Sequence, residues 1–308
     1  MREQGGRQEL KQAPRKWSRP ALAANATAGE AFVANTRAAL EQIALNAAGA
    51  AAGRDPEYLH QLRVGVRRLR SALRAFRELL PRRRAETIER PWRAMMKTLG
   101  DARDWDVFHK ALDAGALQPQ ASKRRAEAQS LARALVDSPR FRNAHRRAYA
   151  WARSGPWRRR ADPAERLAYF ARRALQRLHE TLREAALGID WRDAVRRHRV
   201  RIRVKRLRYG CDFFATAFAQ RKAHAFLVGL HTLQDILGEL NDIEVQRRLL
   251  RILVPRDSPL RIVEAEAAVR ARLASREREL IAALDPAWAA FEARRPFWRH
   301  REAARARG

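Results

Sequence analysis

Cysteine is nearly absent: Cys211 is the single one in a chain of 308 residues. One thiol can close no intrachain disulfide and supplies no cysteine-based metal site. Its place within an apolar stripe predicts a small buried side chain rather than a nucleophile. Long apolar runs are missing as well. No stretch of about eighteen uncharged apolar residues occurs, which excludes a helical membrane span of ordinary length. The first residues carry charge but lack the apolar segment of a secretory signal, so a cytoplasmic location is expected. No run alternates convincingly with period two, so strands are not expected and the fold class is all-α.

Acids and lysine are scarce in a different sense. The 34 Asp and Glu face 65 Lys and Arg, for a formal charge of +31 and a pI near 11.7, and only seven of the 65 are Lys. An excess this large opposes compaction and attracts polyanions, whether nucleic acid, an anionic membrane or a phosphate polymer. Arg presents a planar fork that grips phosphate bidentately, so phosphate oxygens match it well.

What is present is a pattern that occurs twice. His60-Gln-Leu-Arg63-Val-Gly-Val-Arg67-Arg68-Leu-Arg70 continues to Arg74, and His198-Arg-Val-Arg201-Ile-Arg-Val-Lys205-Arg206-Leu-Arg208 continues to Asp212. Each His is followed by basic residues at steps of three, seven, eight and ten. On a helix, His60, Arg63, Arg67, Arg70 and Arg74 share an arc of roughly 80°. Leu62, Val66, Leu69, Leu73, Phe76 and Leu80 hold a separate arc that would face a core, as do Val200, Val204, Leu207, Cys211, Phe214 and Phe218 in the copy. A second motif repeats too: Leu99-Gly-Asp-Ala-Arg103-Asp104-Trp-Asp106-Val107 and Leu237-Gly-Glu-Leu-Asn241-Asp242-Ile-Glu244-Val245. Both motifs recur at one offset, 138 residues, so a helical unit is duplicated.

Around these motifs the chain reads as helices. One over about 28–52 ends at Gly53, and Asp55-Pro56 caps the first signature helix, which Pro81 stops. A helix over roughly 84–99 reaches a break at Gly100, followed by another. Helices over about 119–136 and 140–153 precede a break at Ser154-Gly155-Pro156. After Asp162-Pro163 come a helix over about 164–187, ended by Gly188, and the second signature helix, while Asp285-Pro286 marks a further helix start. The expected organisation is a disordered basic tail over 1–21, a helical domain over 22–300 in two halves (about 22–155 and 163–300), and a basic tail over 301–308.

These residues resemble the CHAD family, the conserved histidine α-helical domain, over about 25–300. The carriers are the two His-x-x-Arg helices, the Lys205-Arg-Leu-Arg-Tyr209 ending and the Leu-Gly-x-x-Arg-Asp-x-Asp-Val run. The resemblance implies two helical bundles related by a pseudo-two-fold around a basic central groove or pore. It further implies binding of inorganic polyphosphate, an association with polyphosphate granules and their proteins, and a CYTH-type triphosphatase as fusion or neighbour. The polyphosphate-binding residues are then His60, Arg63, Arg67, Arg68, Arg70, Arg74, His198, Arg201, Lys205, Arg206 and Arg208. Departures are Asn241 for Arg103, Arg203 for Gly65, and Asp212 for Arg74. The tunnel enzyme's Glu-x-Glu-x-Lys strand is missing, since Glu264-Ala-Glu266 is followed by Ala268, which points to a stand-alone, non-enzymatic module.

The same residues admit other readings. A basic helical arc on its own is usually a solvated face; the in-register copy shifts the balance to an anion site. Five positions over fourteen residues span about 21 Å, a length fit for a linear polyanion. His60 and His198 lie among Arg, which favours their neutral form and a role as hydrogen-bond donors to phosphate rather than catalysts. Asp104, Asp106, Asp242 and Glu244 read as helix-terminal ion pairs more readily than as metal ligands, because acids at i and i+2 do not face one another. No metal and no cofactor is expected. Trp92, Trp151 and Trp288 read as core, while Trp17, Trp157 and Trp298 lie in basic segments open to a partner. Competing functions are non-specific nucleic-acid binding, and an accessory role to a polyphosphate- or triphosphate-metabolising enzyme.

Overall fold

The computed structural model describes residues 13–113, 115–155, 165–218 and 220–299. Among them the chain is helical: α1 Ala28–Ala52, α2 Pro56–Ala75, α3 Arg82–Ala111, α4 Gln118–Val136, α5 Pro139–Ser154, α6 Leu167–Ala186, α7 Ala194–Phe214, α8 Gln220–Leu253 and α9 Leu260–Glu292. No strand occurs among the described residues, only one isolated bridge between Thr27 and Arg166. No helix among them is long and apolar enough to cross a membrane.

Local chemistry explains several boundaries. Thr27 and Glu30 form a reciprocal capping box on α1, and Gly53 closes that helix at φ 62°. Asp55 accepts from the Glu57 amide at 2.7 Å with Pro56 at the first helical position. α2 stops at Ala75, earlier than Pro81, because Phe76, Leu79 and Leu80 turn inward and bury. Asp162, Pro163, Pro156 and residues 301–308 lie outside the described residues.

Two expected breaks do not exist. α3 runs unbroken through Pro91 and Gly100, and α9 runs through Asp285-Pro286. Glycine in a helix costs only about 1 kcal/mol. Trp92, Met95, Leu99, Ala102, Trp105 and Phe108 make one buried stripe across Gly100, and their burial outweighs that cost. In α9, Leu284 and Phe291 are buried on either side of Pro286, and Asp285 accepts from the Trp191 indole at 2.8 Å. Gly238 of α8 is also mid-helix, with nothing within 4 Å of where a Cβ would stand. Gly238→Ala is therefore expected to stabilise the protein by about 0.5–1 kcal/mol. A lowered denaturant midpoint would show instead that a side chain is not tolerated there.

α2 packs on α1 and α3, α7 packs on α6 and α8, and α2 also packs on α7. Gly65 permits the first of these approaches, since a Cβ there would come 2.8 Å from Ile43. Gly210 does the same for α7, where Leu178 lies 2.7 Å from the would-be Cβ. Aromatic rings fill the junction. Phe76 meets Phe214 at 5.0 Å between centroids and stacks on Phe170 at 5.6 Å. Phe32 contacts Phe76 at 5.6 Å, and Phe170 contacts Phe214 at 5.9 Å. Cys211 is buried in this core.

Part of the N-terminal segment contacts the helices. Arg15 exchanges two backbone hydrogen bonds with the Asn46 amide, at 3.0 and 2.9 Å. Trp17 lies over the Arg68 guanidinium, 4.0 Å from ring centroid to carbon. Buried Asn46 and half-buried Arg68 would otherwise lack these partners, so residues 13–17 follow the surface of α1 and α2. Residues 1–12 lie outside the described ones.

Candidate anion-binding site

The α2–α7 crossing brings basic residues of both signature helices into one neighbourhood. Arg67 of α2 is close enough to Arg201 and Lys205 of α7 to act on both electrostatically. Asp104 of α3 acts on Arg63 and on Arg201. Arg103 of α3 acts on His60 and on Arg63. Gly100 of α3 lies beneath Arg63: a Cβ there would be 3.9 Å from the guanidinium Nη2.

The nine Arg and Lys among the eleven candidate residues divide by whether an acid already holds them. Asp212 takes Arg208 at 3.0 Å and Arg68 at 3.4 Å. Tyr209 lies beneath both guanidiniums, at 4.4 Å from Arg208 and 5.2 Å from Arg68. Glu89 of α3 takes Arg70 at 3.0 Å and also holds Arg74. Arg63, Arg67, Arg201, Lys205 and Arg206 have no ion-pair partner among the described residues. The Nε atoms of Arg63, Arg68, Arg201, Arg206 and Arg208, and Nδ1 of His60, are buried without a hydrogen-bond partner in the protein. Buried donors left this way are costly, and an acceptor-rich ligand relieves the cost.

Electrostatic strain follows. Burial, then Arg67, pushes the Arg63 guanidinium down to about 10, still far above neutral pH. Burial, then Arg201 and Arg67, lowers the Lys205 ammonium to about 7, with Asp242 offsetting only part of this. Burial and then Arg103 lower His60; burial and then Arg201 lower His198, against an opposing hydrogen bond from Asn241. Both imidazoles are therefore driven toward the neutral form. His60 is half-buried and His198 exposed, so the two are not equivalent in surroundings. Burial raises the Asp104 carboxyl in spite of Arg63 and Arg248.

The acids of the repeated Leu-Gly motif serve largely as ion-pair partners. Asp106 accepts from Arg125 at 2.8 Å and from Gln129 at 2.6 Å. Asp104 holds Arg248 of α8 at 2.9 Å, and Glu244 lies 3.4 Å from Arg247. No group of three or more His, Cys, Asp or Glu that could hold a metal ion occurs among the described residues. Trp92 and Trp151 are buried and Trp288 packs on the core, as expected. Trp298 is not open to a partner: it is buried against Phe226 at 4.9 Å and His179 at 5.7 Å. Trp157 lies outside the described residues.

Sequence reasoning missed Arg93 and Arg203, which share a cleft with Arg74 and Arg206, and the neutralising Glu89. Arg103 was visible within the repeated motif. Glu89 and Arg93 carried no local signal, because their relation to α2 exists only once α3 folds back.

Known proteins resemble this chain in sequence family and in fold. A CHAD-domain family model matches residues 34–251. The CHAD domain from the plant Ricinus communis, known as a crystal structure, is 33% identical with TM-score 0.81, over 92% of this chain and 98% of its own. PptA from Streptomyces chartreusis, 16% identical, shares the fold with TM-score 0.67, over 86% of this chain and 100% of its own. No curated protein matches the chain.

Proposed function

The chain belongs to the CHAD family, and on that premise we propose that it binds inorganic polyphosphate, without catalysis, through the two signature helices. One observation carries the reading: Arg63, Arg67, Arg201 and Lys205 come together from α2 and α7 with no ion-pair partner among the described residues, and Arg63 and Arg201 each bury an unpartnered Nε donor. Excess cations held so close repel one another, so a bound polyanion gains their full charge. His60 and His198, neutral at physiological pH, add hydrogen-bond donors. Arg68, Arg70, Arg74 and Arg208 act differently, screened by Asp212 and Glu89, and shape the field rather than grip the ligand first.

The pairing of equivalent residues where α2 meets α7 supports this reading. Phe76 and Phe214 touch on one side of the crossing, while Arg67 and Lys205 approach on the other. Each pair is related by the 138-residue offset. A linear polymer fits two antiparallel ladders better than a single phosphate does. Granule attachment and service to a CYTH-type triphosphatase are further proposals that follow from the family rather than from the site.

The charge of +31 favours a second reading, non-specific nucleic-acid binding. A competition titration at physiological salt separates the two. Polyphosphate that duplex DNA and single-stranded RNA cannot displace supports a dedicated site. Equal binding of all three, with one steep salt slope, would sink it.

Lys205 makes binding proton-linked. In the free protein its ammonium titrates at about 7; beside a polyanion it moves back toward the ordinary lysine value of about 10.4. At pH 8 the complex therefore takes up close to one proton, and affinity falls as pH rises from 6 to 9. Folding has the opposite slope: between pH 7 and about 10.4 the unfolded chain holds a proton that the folded one lacks, so stability from this group rises with pH. Calorimetry in buffers of different ionisation enthalpy measures the uptake. Lys205→Arg should abolish it; unchanged uptake in that variant would exclude Lys205 as its source.

A further inference from the structure

The two signature helices end differently. Along α2 the basic arc runs Arg63, Arg67, Arg70, Arg74; the corresponding α7 positions are Arg201, Lys205, Arg208 and then Asp212. At one end of the crossing Arg68 therefore meets an acid, Asp212, and Trp17 lies over it. At the corresponding place on the other side, Arg206 meets Arg74, with Arg203 and Arg70 also acting on it. Arg206 Nε is buried there without a partner. Glu89 is nearby but is already shared between Arg70 and Arg74.

Beside Arg206 a cleft of about 870 Å³ opens between the α2–α3 turn, α3, α6 and α7. That size lies within the range of ligand pockets. Seven Arg and three Glu are among its lining residues. Glu78 is engaged by Arg177 and Glu89 by Arg74, whereas Arg77, Arg93, Arg203 and Arg206 have no ion-pair partner among the described residues. Arg93 is close enough to Arg74 to lower its pKa, so the cations of the cleft continue those of the α2 arc. From Arg63 to Arg74 that arc advances about 16 Å.

We propose that this cleft is a second polyphosphate-binding segment, in which Arg77, Arg93 and Arg203 hold the stretch of polymer that leaves the central cluster past Arg206. The inference rests on the polyphosphate reading above. It makes the binding path one-sided: the polymer extends over α3 and α6, while the Asp212 and Trp17 end is neutralised and covered. None of the three Arg belongs to the central cluster, so the cleft adds affinity only for chains long enough to reach it.

The test compares the full chain with its Arg77→Gln/Arg93→Gln/Arg203→Gln variant against inorganic triphosphate and long-chain polyphosphate. Melting curves confirm that the variant is folded; all three positions are solvent-accessible and unpaired, so little change is expected. Losing three phosphate contacts should weaken long-chain binding about ten- to fiftyfold at physiological salt and lower the salt slope by about two. Triphosphate binding at the central cluster should be unchanged. Unaltered long-chain affinity and slope would overturn the cleft while leaving the central site intact. An equal loss of triphosphate binding would overturn it too, by making the cleft the primary site. No polyphosphate binding by the parent protein would remove the underlying function and the cleft with it.

Discussion

Reversing the charge at Arg63 and Arg201 together, as R63E/R201E, is expected to weaken long-chain polyphosphate binding about a hundredfold at physiological salt. Two cations are lost and two anions gained, and each unit of charge on the path of a single-stranded polyanion contributes to the logarithmic salt slope. Burial makes both guanidiniums stronger than surface ones would be, because screening by water and salt is weaker there. The fold should survive. Neither residue has an ion-pair partner to orphan, Asp104 keeps Arg248 at 2.9 Å, and Arg103, Arg67 and Lys205 remain to balance the new carboxylates. Far-ultraviolet circular dichroism should show unchanged helicity. Normal binding by this variant would sink the site. The companion change, R67Q/K205Q, removes two mutually repelling cations and should raise stability by about 0.5–2 kcal/mol while also lowering affinity, the usual trade-off at a binding site.

The largest effect on stability is expected beside His198, where α7 is tied to α8 and α9. Arg197 is 4% exposed and donates to the Trp191 carbonyl at 2.7 Å, the Arg192 carbonyl at 3.2 Å and Glu277 at 3.0 Å. Glu277 also takes Arg247 at 2.7 Å, so one carboxylate of α9 clamps α7 and α8. Glu277→Ala would leave the buried Arg197 charge with only Glu244, at 3.6 Å, and remove the anion shared with Arg247. Breaking a buried pair by removing one partner costs about 3–5 kcal/mol. The denaturant midpoint should fall accordingly, with polyphosphate affinity unchanged wherever the protein is still folded. A change under 1 kcal/mol would mean that Glu244 or water compensates Arg197.

Much of the fold was legible because its signals are local. The cap at Asp55-Pro56, the Gly53 terminator and the helices over 118–136 and 139–154 follow from residues within one turn of each boundary. Breaks predicted at Gly100 and Asp285-Pro286 failed for a complementary reason. Their local cost is about 1–3 kcal/mol, and the buried stripes that outweigh it are defined only by what packs against them. Trp17 and Trp298 misled for the same reason: basic neighbours in sequence said nothing about the guanidinium or the aromatic cluster each would meet.

By itself the sequence determined the charge, the helical periodicity, the 138-residue register and the angular place of each cation on its own helix. It identified the family from those features. Only the tertiary structure decided which cations are left without an acid. Asp212 reaches Arg68 across 144 positions and Asp104 reaches Arg248 across another 144, while Glu89 folds back onto Arg70 and Arg74. The Coulomb energy of each cation depends on distances of a few ångströms between separate helices. Residue spacing places a side chain around one helix axis, and packing alone sets what stands opposite it.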